Sequence, residues 1–340
     1  MGWYSNNWKN RIAITVNYGQ VGATLTNFPI FLDLSTLPAR FFSVVRTDGG
    51  DIRITQLDGV TEVAREIVAI NTVGKTGEVH FNAPSLSSTA DTSFYIYFNN
   101  PSATDYAANA TYGKYNVWDS NYLYVAHLNG SSVDSTVNQT AATDTTITYG
   151  ASYGKLGQGA LFNGSTSGIN LAAFNKSVYT VEAFTYLTST AGWIADSNSV
   201  LANYNGAAIL GFNSSIDPEV YIGGWNTGSS AASLNTWESI YITSDSSGAN
   251  LYMNGVNIWN NATKTNGFAQ TGDFNIGYRA DAHNSPYTLT GYLDEFRLSN
   301  IARSSTWLST QYNNQNSPST FYSLSGVQSN GGGAFLFNLL

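Results

Sequence analysis

The sequence predicts an all-β fold built from two antiparallel β-sandwiches, and three observations carry that prediction. Charged residues are only 11% of the chain while Phe, Trp and Tyr reach 14%, a balance that suits short strands and polar turns better than long helices. Apolar residues alternate with polar ones in short runs separated by Gly, Asn and Asp. At 340 residues the chain exceeds one ordinary domain and is comfortable for two of roughly 100–200 residues each.

The first expected domain covers 1–105. Ile12, Ile14 and Val16 point one way and Arg11, Ala13 and Thr15 the other, and Phe28-Pro29-Ile30-Phe31-Leu32 follows as a buried run. Further strands are expected at 51–56, 61–70, 77–82 and 92–98, with turns at Gly49-Gly50, Asp58-Gly59 and Gly74. Residues 106–116 are small and polar and are read as a linker.

From 117 to 327 strands are expected at sandwich spacing: 122–128, 159–162, 177–187, 199–204, 207–212, 219–225, 238–243, 250–253, 256–259, 274–278 and 287–298. Met253-Asn254-Gly255-Val256 is the sharpest local signal, because Asn-Gly supplies the positive φ angles of a two-residue hairpin turn. One helix is expected, capped by Ser304 or Ser305, carrying Trp307, Leu308 and Tyr312 and ending at Asn313-Asn314. Residues 328–340 read as a Gly-rich linker and an apolar tail. Phe335, Leu336, Phe337, Leu339 and Leu340 are expected either to add a strand to their own domain, to dock on a partner, or to fray.

Two resemblances follow from particular residues. Trp8-Lys9-Asn10-Arg11-Ile12, Leu25-Thr26-Asn27-Phe28-Pro29, Asp51-Ile52-Arg53-Ile54, Glu66-Ile67, Pro84 through Ser88 and Tyr95 through Asn100 resemble the DUF2341 family, a β-rich domain of unknown function. Trp118-Asp119-Ser120, Ala126-His127-Leu128, Gly159 through Gly164, Tyr179 through Phe184, Trp237 through Gly255 and Gly291 through Ser299 resemble the concanavalin A-like, laminin-G-type superfamily. That second resemblance implies a jelly roll whose members bind glycans, proteins or nothing recorded.

Composition narrows the chemistry. A net charge of −8 disfavours nucleic acid, which needs a basic surface to release phosphate counterions. With no cysteine there is no disulfide, thiolate metal site or thiol nucleophile. No basic leader followed by an apolar stretch opens the chain, and no apolar run reaches ~18 residues, so no signal segment or membrane span is expected. A leader already removed and release by cell lysis both remain open.

Glycoside hydrolysis needs two carboxyl groups about 5–5.5 Å apart for retention. None of the seven Glu residues lies in a Glu-x-Asp-x-Glu arrangement, and Asp294-Glu295 are adjacent and point to opposite faces of a strand. His80, His127 and His283 sit in no triad or metal motif. No catalytic residue is therefore expected. The cofactor expectation is none, or a structural calcium ion at Asp134 and Asp294, since a hard cation takes carboxylate and carbonyl oxygens; the bland reading of both residues is turn capping. A glycan needs an aromatic platform beside hydrogen-bonding groups, and Trp225 with Asn226, and Tyr204 with Asn203 and Asn205, offer that pairing.

The resulting expectation is a non-enzymatic structural or adhesion protein, at a virion surface or extracellular, as in a phage head fibre, decoration or tail-fibre protein. Its expected partners are other virion or surface-assembly subunits, a cell-surface glycan, or further copies of itself. A secreted carbohydrate-binding module is the alternative, and a degenerate glycoside hydrolase the third reading.

Overall fold

The computed structural model describes residues 2–171, 176–189, 192–197, 209–222, 224–263, 273–278 and 288–331. Two units divide the chain: Met1–Trp118 together with Asn313–Leu340, and Asp119–Tyr312. Both are built from antiparallel sheets, so the chain is all-β with a few short helices. Among the described residues no helix is long and apolar enough to cross a membrane.

In the first unit Ile12, Ile14 and Val16 are wholly buried on the strand Asn10–Val16, as their alternation requires. That strand pairs along its full length with Thr92–Phe98. The sheet continues through Arg53–Gln56 to Glu62–Val63 on one side and to Tyr322–Leu324 on the other. A smaller sheet joins Leu25–Asp33, Thr76–Leu86 and Arg65–Asn71. Phe81 of the smaller sheet meets Phe94 of the larger one edge to face at 5.1 Å, and Phe41 on the short helix Ala39–Val44 closes on Phe98 at 4.9 Å.

Three expectations change here. The single strand expected at 61–70 breaks at Ala64, and its halves Glu62–Val63 and Arg65–Asn71 belong to different sheets. Residues 106–116 are no free linker. Asp105 pairs with Arg65 at 2.7 Å, Tyr106 lies under the Arg53 guanidinium, and the Arg65 amide donates to the Tyr112 carbonyl. Residues 313–327, read as part of the second domain, and 328–331, read as a linker, belong to the first: Asn314 donates to and accepts from the Phe31 backbone at 2.9 and 2.7 Å, Ile14 pairs with Leu324, and Asn10 pairs with Ser329.

The second unit is a two-sheet sandwich. One sheet runs Thr148–Gly150, Gly159–Asn163, Thr290–Ser299, Tyr179–Leu187, Trp237–Asp245, Gly248–Met253 and Val256–Asn261, with Tyr122–Ala126 also on Thr290–Ser299. The other runs Trp225–Thr227, Pro218–Tyr221, Ile209–Phe212, Gly192–Ser197, Phe274–Ile276, Gly168–Leu171 and Ala142–Thr145. Phe162, Ile169, Leu210, Val220, Ile240, Phe274, Phe296 and Leu298 fill the space between them. Asn254 and Gly255 have φ of 53° and 74°, the left-handed pair the Asn-Gly hairpin demands. The Ser304 hydroxyl accepts from the Trp307 amide at 3.2 Å and caps the helix Ser305–Asn316, whose Trp307 and Leu308 are buried. The strand expected at 199–204 lies outside the described residues.

Candidate functional site

The strand expected at 219–225 is in fact a hairpin. Pro218–Tyr221 turns back as Trp225–Thr227, which pairs Tyr221 with Trp225, Val220 with Asn226 and Glu219 with Thr227. Gly224, at φ 127°, takes a conformation that a side chain disfavours and so permits the reversal. Val220 is in the core, so Glu219 and Tyr221 project from the opposite, outer face, with their partners Thr227 and Trp225 beside them.

On that face Trp225 is 46% exposed, and its ring stands edge-on against Tyr221 at 5.3 Å. One residue pair along, Thr227 donates its hydroxyl to Glu219 at 3.1 Å. The Asn213 amide donates to Asp217 at 3.1 Å and reaches Glu219 at 3.4 Å. Gly211 lies opposite Glu219 on the next strand and adds no side chain there. An apolar ring is thus set beside carboxylate, hydroxyl and amide groups, the combination that a sugar ring's C–H face and hydroxyl edge require.

Asn226, expected to hydrogen-bond ligand beside Trp225, is on the other face. Its amide is spent on the Gly224 and Ile222 carbonyls at 2.6 and 3.2 Å, where it holds the hairpin closed. Asn203, Tyr204 and Asn205 lie outside the described residues, as do His283 and the tail residues Phe335, Leu336, Phe337, Leu339 and Leu340. Asp217 and Glu219 fall outside the Glu-x-Asp-x-Glu pattern, and their i, i+2 spacing is the signal in the sequence that brings them together.

The two carboxylates considered for calcium do not fit the ion. Asp134 is buried and accepts from the amides of Val125, Thr136 and Thr140 at 3.1, 2.8 and 2.8 Å and from the Thr136 hydroxyl at 2.9 Å. Asp294 is also buried, accepting from the Lys155 and Leu156 amides at 2.7 Å each and from the Glu295 amide at 2.9 Å. N–H donors occupy the lone pairs a cation would need, and a cation beside them would face the positive ends of those dipoles.

Glu182 and Glu238 are equally committed. Glu182 is buried beneath the helix with the Gln311 amide bonded to it, and burial raises its pKa against the pull of Arg297. Glu238 accepts from the Asn254 side chain at the hairpin. His127 bonds through Nδ1 to Glu295 at 2.5 Å, a buried pairing between residues 168 positions apart in the chain.

A second aromatic group went unnoticed in the sequence. Tyr292, Tyr186 and Trp237 are direct cross-strand neighbours on the larger sheet, and Tyr153 extends the row. The central rings stack at 5.0 Å and 19°. Stacked rings cover each other's faces, so this row offers solvent mainly edges and is a poorer platform than Trp225.

No curated protein matches the sequence. Among solved structures, domain 4 of AbnA, a GH43 extracellular arabinanase from Geobacillus stearothermophilus in complex with arabinotriose, matches at 19% identity and TM-score 0.45, covering 56% of this chain and 97% of that one. The binding domain of Paraclostridial Mosquitocidal Protein 1 matches at 14% and 0.46, covering 57% and 52%. The botulinum neurotoxin serotype D binding domain matches at 12% and 0.45, covering 57% and 52%. Residues 163–309 match the family model of the concanavalin A-like lectin/glucanases superfamily, and the second unit is a jelly roll of that kind.

Proposed function

We propose that this chain is a non-catalytic adhesion protein of a virion or other extracellular surface, and that its second unit binds a neutral glycan on the outer face of the hairpin at 218–227. The observation that carries the reading is the exposed Trp225 ring, propped on Tyr221 and flanked on the same face by Thr227, Glu219, Asp217 and Asn213. Large aromatic rings are costly to leave in water, and one held in place next to ordered polar groups is preorganised for a sugar. The low charge and abundant Asn, Ser and Thr support a surface role, and the kinship of the first unit with DUF2341 rests on its sequence landmarks.

A hydrolytic reading has one observation in its favour, the two carboxylates of Asp217 and Glu219 converging on one amide. Glu219 also accepts from the Thr227 hydroxyl at 3.1 Å, so both carboxylates are already engaged by neighbouring side chains. The test is glycan-array screening followed by calorimetric titration of wild type and Trp225→Ala. Binding lost in the variant supports the site. Polysaccharide turnover abolished by Glu219→Gln would replace adhesion with catalysis.

A further inference from the structure

The first unit holds a groove of about 490 Å³, within the usual size of small-ligand sites, between the start of the smaller sheet and the segment 109–116. We infer that this groove is a second carbohydrate site, taking one or two residues of a neutral glycan independently of Trp225.

Its walls carry both hydrogen-bonding polarities. The Asn27 and Asn109 amides and the Thr111 hydroxyl are exposed on the lining and make no hydrogen bond among the described residues. Asn82 and Asn116 donate to the backbone carbonyls of Val117 and Ala110 at 3.2 and 2.8 Å, which leaves their side-chain oxygens as acceptors. Sugar hydroxyls donate and accept at once, and carboxamides are matched to both roles. Tyr112 and Pro84 supply flat apolar surface for a ring face.

The charge balance selects a neutral ligand. Glu62 is the one formally charged residue of the lining, and Arg53 lies 3.5 Å from its Oε1. Tyr4 and Tyr106 donate to Oε2 at 2.6 and 3.0 Å, while Oε1 is buried with no hydrogen-bond donor. An anion would meet this carboxylate, a cation would meet Arg53 and Arg65 behind it, and an apolar ligand would strand the carboxamides.

The wall is ordered before any ligand arrives. The Arg65 amide donates to the Tyr112 carbonyl at 3.2 Å, and the Gly113 and Tyr115 amides donate to the Ala110 and Ala108 carbonyls at 2.8 and 3.1 Å, so the backbone of 109–116 has little entropy left to lose on binding. Asn27 itself sits at φ 52° within the strand Leu25–Asp33, in the left-handed region that Asn tolerates better than most residues, at a place where its side chain lines the groove.

The test uses the full chain with cellobiose, maltose and lactose as probes, followed by saturation-transfer NMR and titration, in wild type, Trp225→Ala and the double variant Asn109→Ala/Thr111→Ala. Both altered loop residues are exposed, and an unchanged melting temperature checks the fold. The expected result is two binding components, one that survives Trp225→Ala and weakens at least tenfold in the loop variant and one that survives the loop variant and is lost in Trp225→Ala. Loop-variant binding equal to wild type, loss of all binding in Trp225→Ala, or no wild-type binding to any of the three sugars overturns the inference. Binding untouched by Trp225→Ala but lost in the loop variant sinks the hairpin site and upholds the groove.

Discussion

Replacing Trp225 with Ala separates binding from folding. About 46% of the residue is exposed, which for a Trp of up to roughly 250 Å² leaves about 115 Å² open to a ligand. A sugar ring covering most of that area gains ~2.5 kcal/mol at about 25 cal/mol per Å². Ordering the sugar and its hydroxyls takes back part of the gain, so the net loss in the variant is about 1–2 kcal/mol, a roughly 5- to 30-fold rise in Kd. The folding cost is smaller, because the ring's edge-on contact with Tyr221 on an edge strand is worth about 0.5–1.5 kcal/mol. Calorimetric titration with the best array glycan, alongside thermal unfolding, measures both. A Kd within twofold of wild type would refute the platform argument, and loss of the second unit's unfolding transition would show that Trp225 is a core residue instead.

Asp134→Ala strands the buried amides of Val125 and Thr136 and should lower the second unit's stability by about 3–5 kcal/mol in urea unfolding, while chelator or added calcium leaves the wild-type melting temperature unchanged; a calcium-dependent rise would return the metal to Asp134 and Asp294. Gly255→Ala forces φ 74° on a residue with a Cβ and brings that atom to 3.1 Å from Ser309 Cα, so a loss of about 1 kcal/mol or more is expected. Glu182 has its pKa raised by burial, so the cost of holding it ionised is absent below the unfolded carboxylate pKa of about 4.3 and complete above its raised folded value. Glu182→Gln should accordingly gain in melting temperature relative to wild type as pH rises from 4 to 7, and calorimetry showing the opposite slope would mean that Arg297 outweighs desolvation. No polysaccharide turnover is expected from the wild type, as measured by reducing-end release.

Some of this molecule was legible in its residues. Alternation at Ile12, Ile14 and Val16, the Asn-Gly turn at 254–255 and the Ser304 cap are local, set by side-chain direction, backbone φ and one hydrogen bond, and each appears where the pattern places it. Trp225 was legible as an aromatic beside polar residues, whereas its expected companion Asn226 pairs opposite Val220 and closes the hairpin instead. The reversal before Trp225 turns on Gly224, and the residues on either side of it are equally strand-like. The break at Ala64 was hidden for the same reason, since two strands in different sheets can share one uninterrupted alternation.

The sequence by itself determined the all-β class, the turn chemistry and the families of residues available for binding, because those depend on neighbours within a few positions. Only the tertiary structure decided that residues 313–331 complete the first unit, that 109–116 form the wall of a groove, and which carboxylates are spent on backbone amides. Those outcomes depend on partners such as Asn314 with Phe31, Asp105 with Arg65 and Asp294 with Lys155, which lie tens to hundreds of positions apart. A local pattern carries no record of which distant backbone will supply a donor, and a carboxylate bound for a turn looks the same in sequence as one bound for a ligand.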